Sequence, residues 1–148
     1  MIKILIYDDE KSYLTTMFKN DIKIELRDVQ VFVAHSFDYF ETLMGRHKFD
    51  AAILDIIGAE NHINSAYGNE HVPPSFIGIE LLKRIRKGFY SKFDQKADMP
   101  IYMRTARGEE PKIQTACTLA GANKIFEISE ESDVKIIDLL RKKFFNEK

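Results

Sequence analysis

The sequence predicts a doubly wound α/β fold, a five-stranded parallel sheet covered by helices on both faces in a three-layer α/β/α sandwich. Three observations predict it. Short apolar runs alternate five times with stretches of helical period, the signature of parallel strands joined by crossover helices. The middle run, Ala51-Ala52-Ile53-Leu54, is apolar at every position, as a central strand buried on both faces should be. Three runs end in reactive oxygens: Asp8-Asp9-Glu10, Asp55 and Thr105. In open parallel sheets, ligands bind beyond the carboxyl ends of the strands, where the strand order reverses.

The elements follow in order. Ile2-Lys3-Ile4-Leu5-Ile6-Tyr7 is the first strand. A helix is expected from about Glu10 to Asn20, with Tyr13, Leu14, Met17 and Phe18 on one face at helical spacing. Residues 22–28 read equally as a helix tail or a turn. Val29, Val31 and Val33 alternate as a second strand, and Ser36 is placed to cap a helix carrying Phe40, Leu43 and Met44, with Gly45 near its end. The third helix contains Leu81, Leu82 and Ile85, with Lys83, Arg84, Arg86 and Lys87 expected on a solvated outer face. Residues 91–100 read as a polar loop before the fourth strand, Ile101 to Arg104. Pro111 suits the first turn of a helix from about Glu109 to Ala120, with Gly121 as its stop. Lys124 to Glu127 is the fifth strand. The last helix is expected from Ser132 or Asp133, burying Val134, Ile136, Ile137, Leu140 and Phe144.

Length and composition narrow the function. The 148 residues suit a single domain, 1–148, with a substantial core. A net charge of −1 provides no broad attraction to nucleic acid or anionic membrane, so neither direct nucleic-acid binding nor membrane insertion is expected. The apolar runs are too short to span a bilayer, and the first strand begins without an apolar leader. One cysteine, Cys117, permits no internal disulfide. Together these point to a reducing, cytoplasmic setting. Residues 58–75 stand apart. They are rich in Asn, Gly, Ser and His, include Pro73-Pro74 and show no clear period, which reads as a long inserted loop at the rim of the strand-end crevice. His62 and His71 lie in it without a recognised ligand spacing, so a flexible polar insertion is the favoured reading.

The chemistry lies in the crevice. Asp8, Asp9 and Asp55 would concentrate negative charge that calls for a counter-ion, and hard carboxylate oxygens suit Mg²⁺. A carboxylate beside such an ion can accept a phosphoryl group as an acyl phosphate, and a hydroxyl such as that of Thr105 can bond a phosphoryl oxygen.

The residues Ile4-Leu5-Ile6-Tyr7-Asp8-Asp9-Glu10, Ile53-Leu54-Asp55, Gly78-Ile79-Glu80-Leu81-Leu82, Thr105-Ala106-Arg107-Gly108-Glu109-Glu110 and Gly121-Ala122-Asn123 resemble the receiver domains of two-component response regulators. The resemblance spans nearly the whole chain and implies the flavodoxin-like (βα)₅ receiver fold also known as CheY-like. It implies Asp55 as phospho-acceptor, Thr105 as the switch hydroxyl, and Asp9, Asp55 and the backbone carbonyl of Ile57 as Mg²⁺ ligands, with Asp8 completing the acidic pocket. It further implies a stand-alone member of a phosphorelay. The phosphoryl donor would be a sensor histidine kinase or phosphotransfer protein, and the output an unidentified partner protein. A homodimer is compatible with this, and the domain would signal rather than turn over substrate.

Two features depart from the family. Receivers carry a lysine and then a proline at the end of the fifth strand, where this chain has Ile128 and Ser129, and a switch aromatic where it has Ile125. Phe126 is adjacent, but the pleat should send it to the other face. Arg104, Arg107 or Lys124 could supply a substitute charge. In addition, Gly78 follows Asp55 by 23 residues where the family's glycine follows by about eight, so about 15 residues are inserted, long for a connection in a compact domain. The missing lysine keeps open a receiver-like interaction module that works without phosphorylation. A haloacid-dehalogenase-type phosphatase is the least supported reading, because its nucleophile belongs on the first strand and its two aspartates are separated by one residue.

Overall fold

The computed structural model describes residues 1–8, 13–56, 62–65, 68–71, 77–106 and 108–145. Five parallel strands form one sheet in the order β2-β1-β3-β6-β7, comprising β1 (Ile2–Tyr7), β2 (Val29–Ala34), β3 (Ala51–Leu54), β6 (Ile101–Thr105) and β7 (Lys124–Glu127). The expected sandwich is present, and the order reverses between β1 and β3, which pair in parallel from Ile4 opposite Ala51 to Tyr7 opposite Leu54.

The pleat sorts the core into two layers. Leu5, Tyr7, Ala52, Leu54, Ile101 and Met103 pack against α2 (Phe37–Arg46), α3 (Ile77–Arg86) and α4 (Pro111–Ala120). Ile4, Ile6, Ala51, Ile53 and Tyr102 pack against α1 (Tyr13–Glu25) and α5 (Glu130–Phe145). This two-sided burial explains why β3 reads as unbroken apolar sequence. As the alternation requires, Ile125 packs on the α2–α4 layer and Phe126 on the α1–α5 layer.

Local signals set several boundaries. The Ser36 hydroxyl accepts the Tyr39 N–H at 3.1 Å at the start of α2, a cap worth about 1 kcal/mol. Pro111 opens α4 and Gly121 closes it. Helix α5 begins earlier than Ser132, because the Ser129 hydroxyl accepts the Ser132 N–H at 3.0 Å and caps the helix there.

Four expectations are corrected. Helix α1 runs on through residues 22–25 and buries Thr15, Phe18 and Ile22, leaving Tyr13, Leu14 and Met17 exposed. On α5, Val134 is exposed and the buried stripe is Ile136, Ile137 and Leu140. Arg84 is not on a solvated face: it is fully buried, 3.5 Å from Glu80, with the Phe37 and Phe89 rings over its guanidinium. Arg86 is likewise committed, donating to the carbonyls of Ala97, Met99 and Gly121. Both guanidiniums join α3 to its surroundings, a role that Arg can fill through its stem and planar head. The fourth correction is the insertion. Within it lies an antiparallel hairpin, β4 (His62–Ser65) and β5 (Gly68–His71), with β4 against α2.

Residues 91–100 are also more than a polar loop. They include a 3₁₀ turn at Ser91–Phe93 and the buried Gln95. The Gln95 carboxamide accepts the Phe49 N–H at 3.0 Å and donates to the carbonyl of Met44 at 2.8 Å. One side chain thereby satisfies backbone groups at the end of α2 and before β3.

Candidate functional site

The carboxyl ends of β1 and β3 meet at the reversal of strand order. The Asp8 N–H donates to Ala34 O at 3.0 Å and the Asp55 N–H to Tyr7 O at 2.9 Å, so the ladder carries both aspartates one residue beyond their strands. Asp8 is buried, and one of its carboxylate oxygens accepts the hydroxyl of the buried Thr15 on α1. The Asp8 backbone carbonyl accepts His35 Nδ1–H at 2.7 Å. Sequence reasoning missed Thr15 and His35. Thr15 looks like one more polar residue on a helix, and its role appears only once α1 is turned so that it faces Asp8.

Asp55 is half-buried, at the end of β3 beside the buried Asp8. Gly78 explains how α3 comes so close. A Cβ there would lie 1.9 Å from Asp55 O and 2.7 Å from Ile56 Cα, and the Gly78 N–H donates to Ile56 O at 3.0 Å. Only a residue without a side chain fits between α3 and the end of β3.

Thr105 ends β6 and is fully buried. Its carbonyl accepts the Ile128 N–H at 3.1 Å, joining the end of β6 to the end of β7. The following turn is pressed onto β7 at Gly108, where a Cβ would sit 2.7 Å from Glu127 N. The structure therefore brings Asp8, Asp55 and Thr105 to one end of neighbouring strands β1, β3 and β6. Asp9, Ile57 and Arg107 lie outside the described residues.

Two of the three candidate replacement cations are elsewhere. Arg104 is buried on the α1–α5 face. Its guanidinium grips Asp133 of α5 through two bonds of 2.7 and 3.1 Å and lies 4.5 Å over the Phe18 ring. Lys124 pairs with Tyr102 at the start of β7, about 10 Å of strand away from the Thr105 end. Ile128 lines a groove of about 760 Å³ between α1 and α5, with Tyr13, Leu14, Met17 and Val134. Cys117 is a buried residue of α4, and burial pushes its thiol up to about 11, so it has no part in this chemistry.

Among the described residues no group of three or more His, Cys, Asp and Glu side chains is arranged to hold a metal ion. The donor chemistry of the two described aspartates still fits a hard cation. They are all-oxygen ligands at adjacent strand ends, and one of them is already oriented by a hydroxyl.

No family model and no curated protein matches the sequence. The structure does match solved ones. It is similar to the receiver domain of the Francisella response regulator 1452, with a TM-score of 0.67 at 17% identity over 97% of this chain and 98% of that one. It is similar to the signal receiver domain of a DNA-binding response regulator from Colwellia psychrerythraea, with a TM-score of 0.68 at 16% identity over 95% and 99%. A CheY-like receiver domain protein from Methanospirillum hungatei gives 0.63 at 19% identity over 97% and 93%. The fold is that of the response-regulator receiver domains.

Proposed function

We propose that the chain is a receiver that accepts a phosphoryl group on Asp55 and signals through a partner protein. The observation that carries this reading is the placement of a half-buried Asp55 beside the buried Asp8 at the reversal of strand order, with the buried Thr105 ending the next strand. Asp8, Asp9, Asp55 and the Ile57 carbonyl would hold Mg²⁺. When bound, that ion would offset the negative charge of the carboxylates and of the incoming phosphoryl group.

The chain's own residues do the rest. Thr15 orients Asp8, and the half-buried Asp55 is the nucleophile. An Asp55 oxygen attacks phosphorus while the donor's P–N bond breaks, if the donor is a phosphohistidine, and the leaving imidazole takes a proton from water. The Thr105 hydroxyl then bonds a phosphoryl oxygen, and its movement is passed to β7 through the Thr105–Ile128 bond. The exposed Tyr13, Leu14 and Met17 offer an apolar surface beside the site for a histidine kinase or phosphotransfer protein. No helix among the described residues is long and apolar enough to cross a membrane, in keeping with a cytoplasmic partner.

A second reading has one specific observation in its favour. Ile128 lines an apolar groove where receivers have a lysine, which suits an interaction module that does not need phosphate. The two are separated by amide spectra recorded with Mg²⁺ and beryllofluoride, a stable stand-in for a phosphoryl group. A phosphate-accepting site shows shifts at Thr105 and Gly78 that Asp55→Asn abolishes. Unchanged spectra in the wild-type protein would favour the module.

A further inference from the structure

Two grooves on opposite faces of the sheet carry opposite charge. The first, between α1 and α5, has an apolar floor that includes Leu14, Met17 and Val134. The described residues that line it hold five carboxylates against two guanidiniums. Both guanidiniums are already engaged, Arg104 by Asp133 and Arg141 by Asp138 and Glu25. Asp21 and Glu130 are exposed and belong to none of the described ion pairs. This groove is therefore apolar with unbalanced negative charge along its rim.

The second groove, of about 540 Å³, lies between α3 and α4. Lys83, Arg86 and Lys87 line it, with no carboxylate among the described lining residues. Arg86 is held by the carbonyls it donates to. Lys83 and Lys87 are exposed and outside the described ion pairs. They stand one helical turn apart, a spacing at which like charges repel. Beside them Leu119 is 83% exposed, more than any other large apolar side chain among the described residues. Ala116 and Ala120 line the same groove, and their small side chains let a partner approach closely.

We propose that these two surfaces bind each other between copies of this chain, the Lys83, Lys87 and Leu119 surface of one copy seating in the α1–α5 groove of the next. Leu119 then meets the apolar floor, and the two lysines balance the acidic rim. Charge decides the symmetry. A two-fold dimer through either groove would set like charges opposite one another, which costs affinity. A contact between different surfaces leaves one of each free on every pair, so assembly continues into a ring or a filament. Leu14 and Met17 also belong to the surface proposed for the phosphoryl donor, so a copy seated there shuts that donor out. This consequence rests on the proposed function; the association itself does not.

Sedimentation velocity of the full chain tests the association. Species larger than a dimer should grow with protein concentration at low salt and recede at about 1 M salt, where the screening length falls to about 3 Å. Lys83→Glu with Lys87→Glu, and separately Asp21→Lys with Glu130→Lys, should each weaken self-association at least about a hundredfold, because like charges then meet. All four positions are exposed, so both variants should keep the circular dichroism spectrum of the wild type. Mixed in equal amounts, one variant is acidic at both grooves and the other basic at both, and the mixture should assemble again. That recovery separates loss of complementarity from loss of the fold. The proposal is overturned if the wild type stays monomeric, if it stops at a dimer, if either charge-reversed variant associates as the wild type does, or if their mixture does not recover. None of these readouts depends on Asp55 accepting a phosphoryl group.

Discussion

Removal of the Asp133 carboxylate is the sharpest structural test of how the α1–α5 face is held. Arg104 is 4% exposed and Asp133 15%, joined by bonds of 2.7 and 3.1 Å, and the guanidinium lies on the Phe18 ring. Asp133→Ala leaves that buried charge without its partner. Truncating one member of a buried pair costs about 3–5 kcal/mol. Because Asp133 stands at the edge, where water can reach the released guanidinium, the lower end applies: about 3 kcal/mol. At about 2–4 °C per kcal/mol for a chain of this size, the midpoint falls by roughly 6–12 °C. Arg104→Met keeps the packing on Phe18 and leaves only a carboxylate near the surface, so it should cost less. Arg104→Met combined with Asp133→Ala should be more stable than Asp133→Ala alone, since the stranded charge is gone. Urea unfolding of the four proteins reads the coupling directly. If Asp133→Ala unfolds within about 0.5 kcal/mol of the wild type, the pair is no stronger than an exposed one, and the burial argument fails.

Three further perturbations address the site and its surroundings. Gly78→Ala forces a Cβ to within 1.9 Å of Asp55 O; since backbone must yield, the upper part of the usual overpacking cost, about 2–3 kcal/mol, is expected in urea unfolding, together with shifted amide signals at Asp55 and Ile56. Glu127 has its carboxyl raised above the ordinary range by the charge of the neighbouring Glu109, with desolvation and a hydrogen bond donated by the protonated Glu127 carboxyl to Glu109 adding to it. The folded protein thus disfavours the charged form, so native stability falls as pH rises through that raised value and recovers as pH drops below it. Glu127→Gln should therefore raise the thermal midpoint at neutral pH and have no such effect in acid, and an equal effect at both would contradict this. Burial holds the Cys117 thiol up to about 11, leaving about one thiolate in a thousand at pH 8, so Ellman's reagent should label the native protein slowly and the urea-unfolded protein at once.

The sheet was legible because each of its strands carries its own signal. β3 is apolar throughout, β1 and β6 run into Asp8 and Thr105, and Ser36, Pro111 and Gly121 mark helix ends by chemistry that acts within a few residues. Legibility stopped where tertiary context decides. Tyr13, Leu14 and Met17 have the spacing of a buried face, yet α1 turns Thr15, Phe18 and Ile22 inward because Asp8 and the β1 core lie on that side. Arg84 looks like one cation in a basic run, and its burial is explained by tertiary context, with the aromatic rings of Phe37 and Phe89 over its guanidinium and Glu80 beside it. The hairpin went unseen because the two residues between Ser65 and Gly68, Ala66-Tyr67, carry no Asn-Gly or Asp-Gly turn signal. At the candidate site, Asp8, Asp55 and Thr105 were legible one by one. That Arg104 is committed to Asp133 was not, since the two stand 29 residues apart.

The central claim is that Asp55 accepts a phosphoryl group despite the isoleucine at 128. Intact-mass measurement after incubation with Mg²⁺ and a small phosphodonor tests it most directly, run beside an ordinary receiver and the Asp55→Asn variant. The account predicts a single added phosphoryl group on the wild-type chain, lost on chelation of Mg²⁺ before incubation and absent from Asp55→Asn. An unmodified wild-type mass under conditions that modify the ordinary receiver, or equal modification of Asp55→Asn, would contradict it.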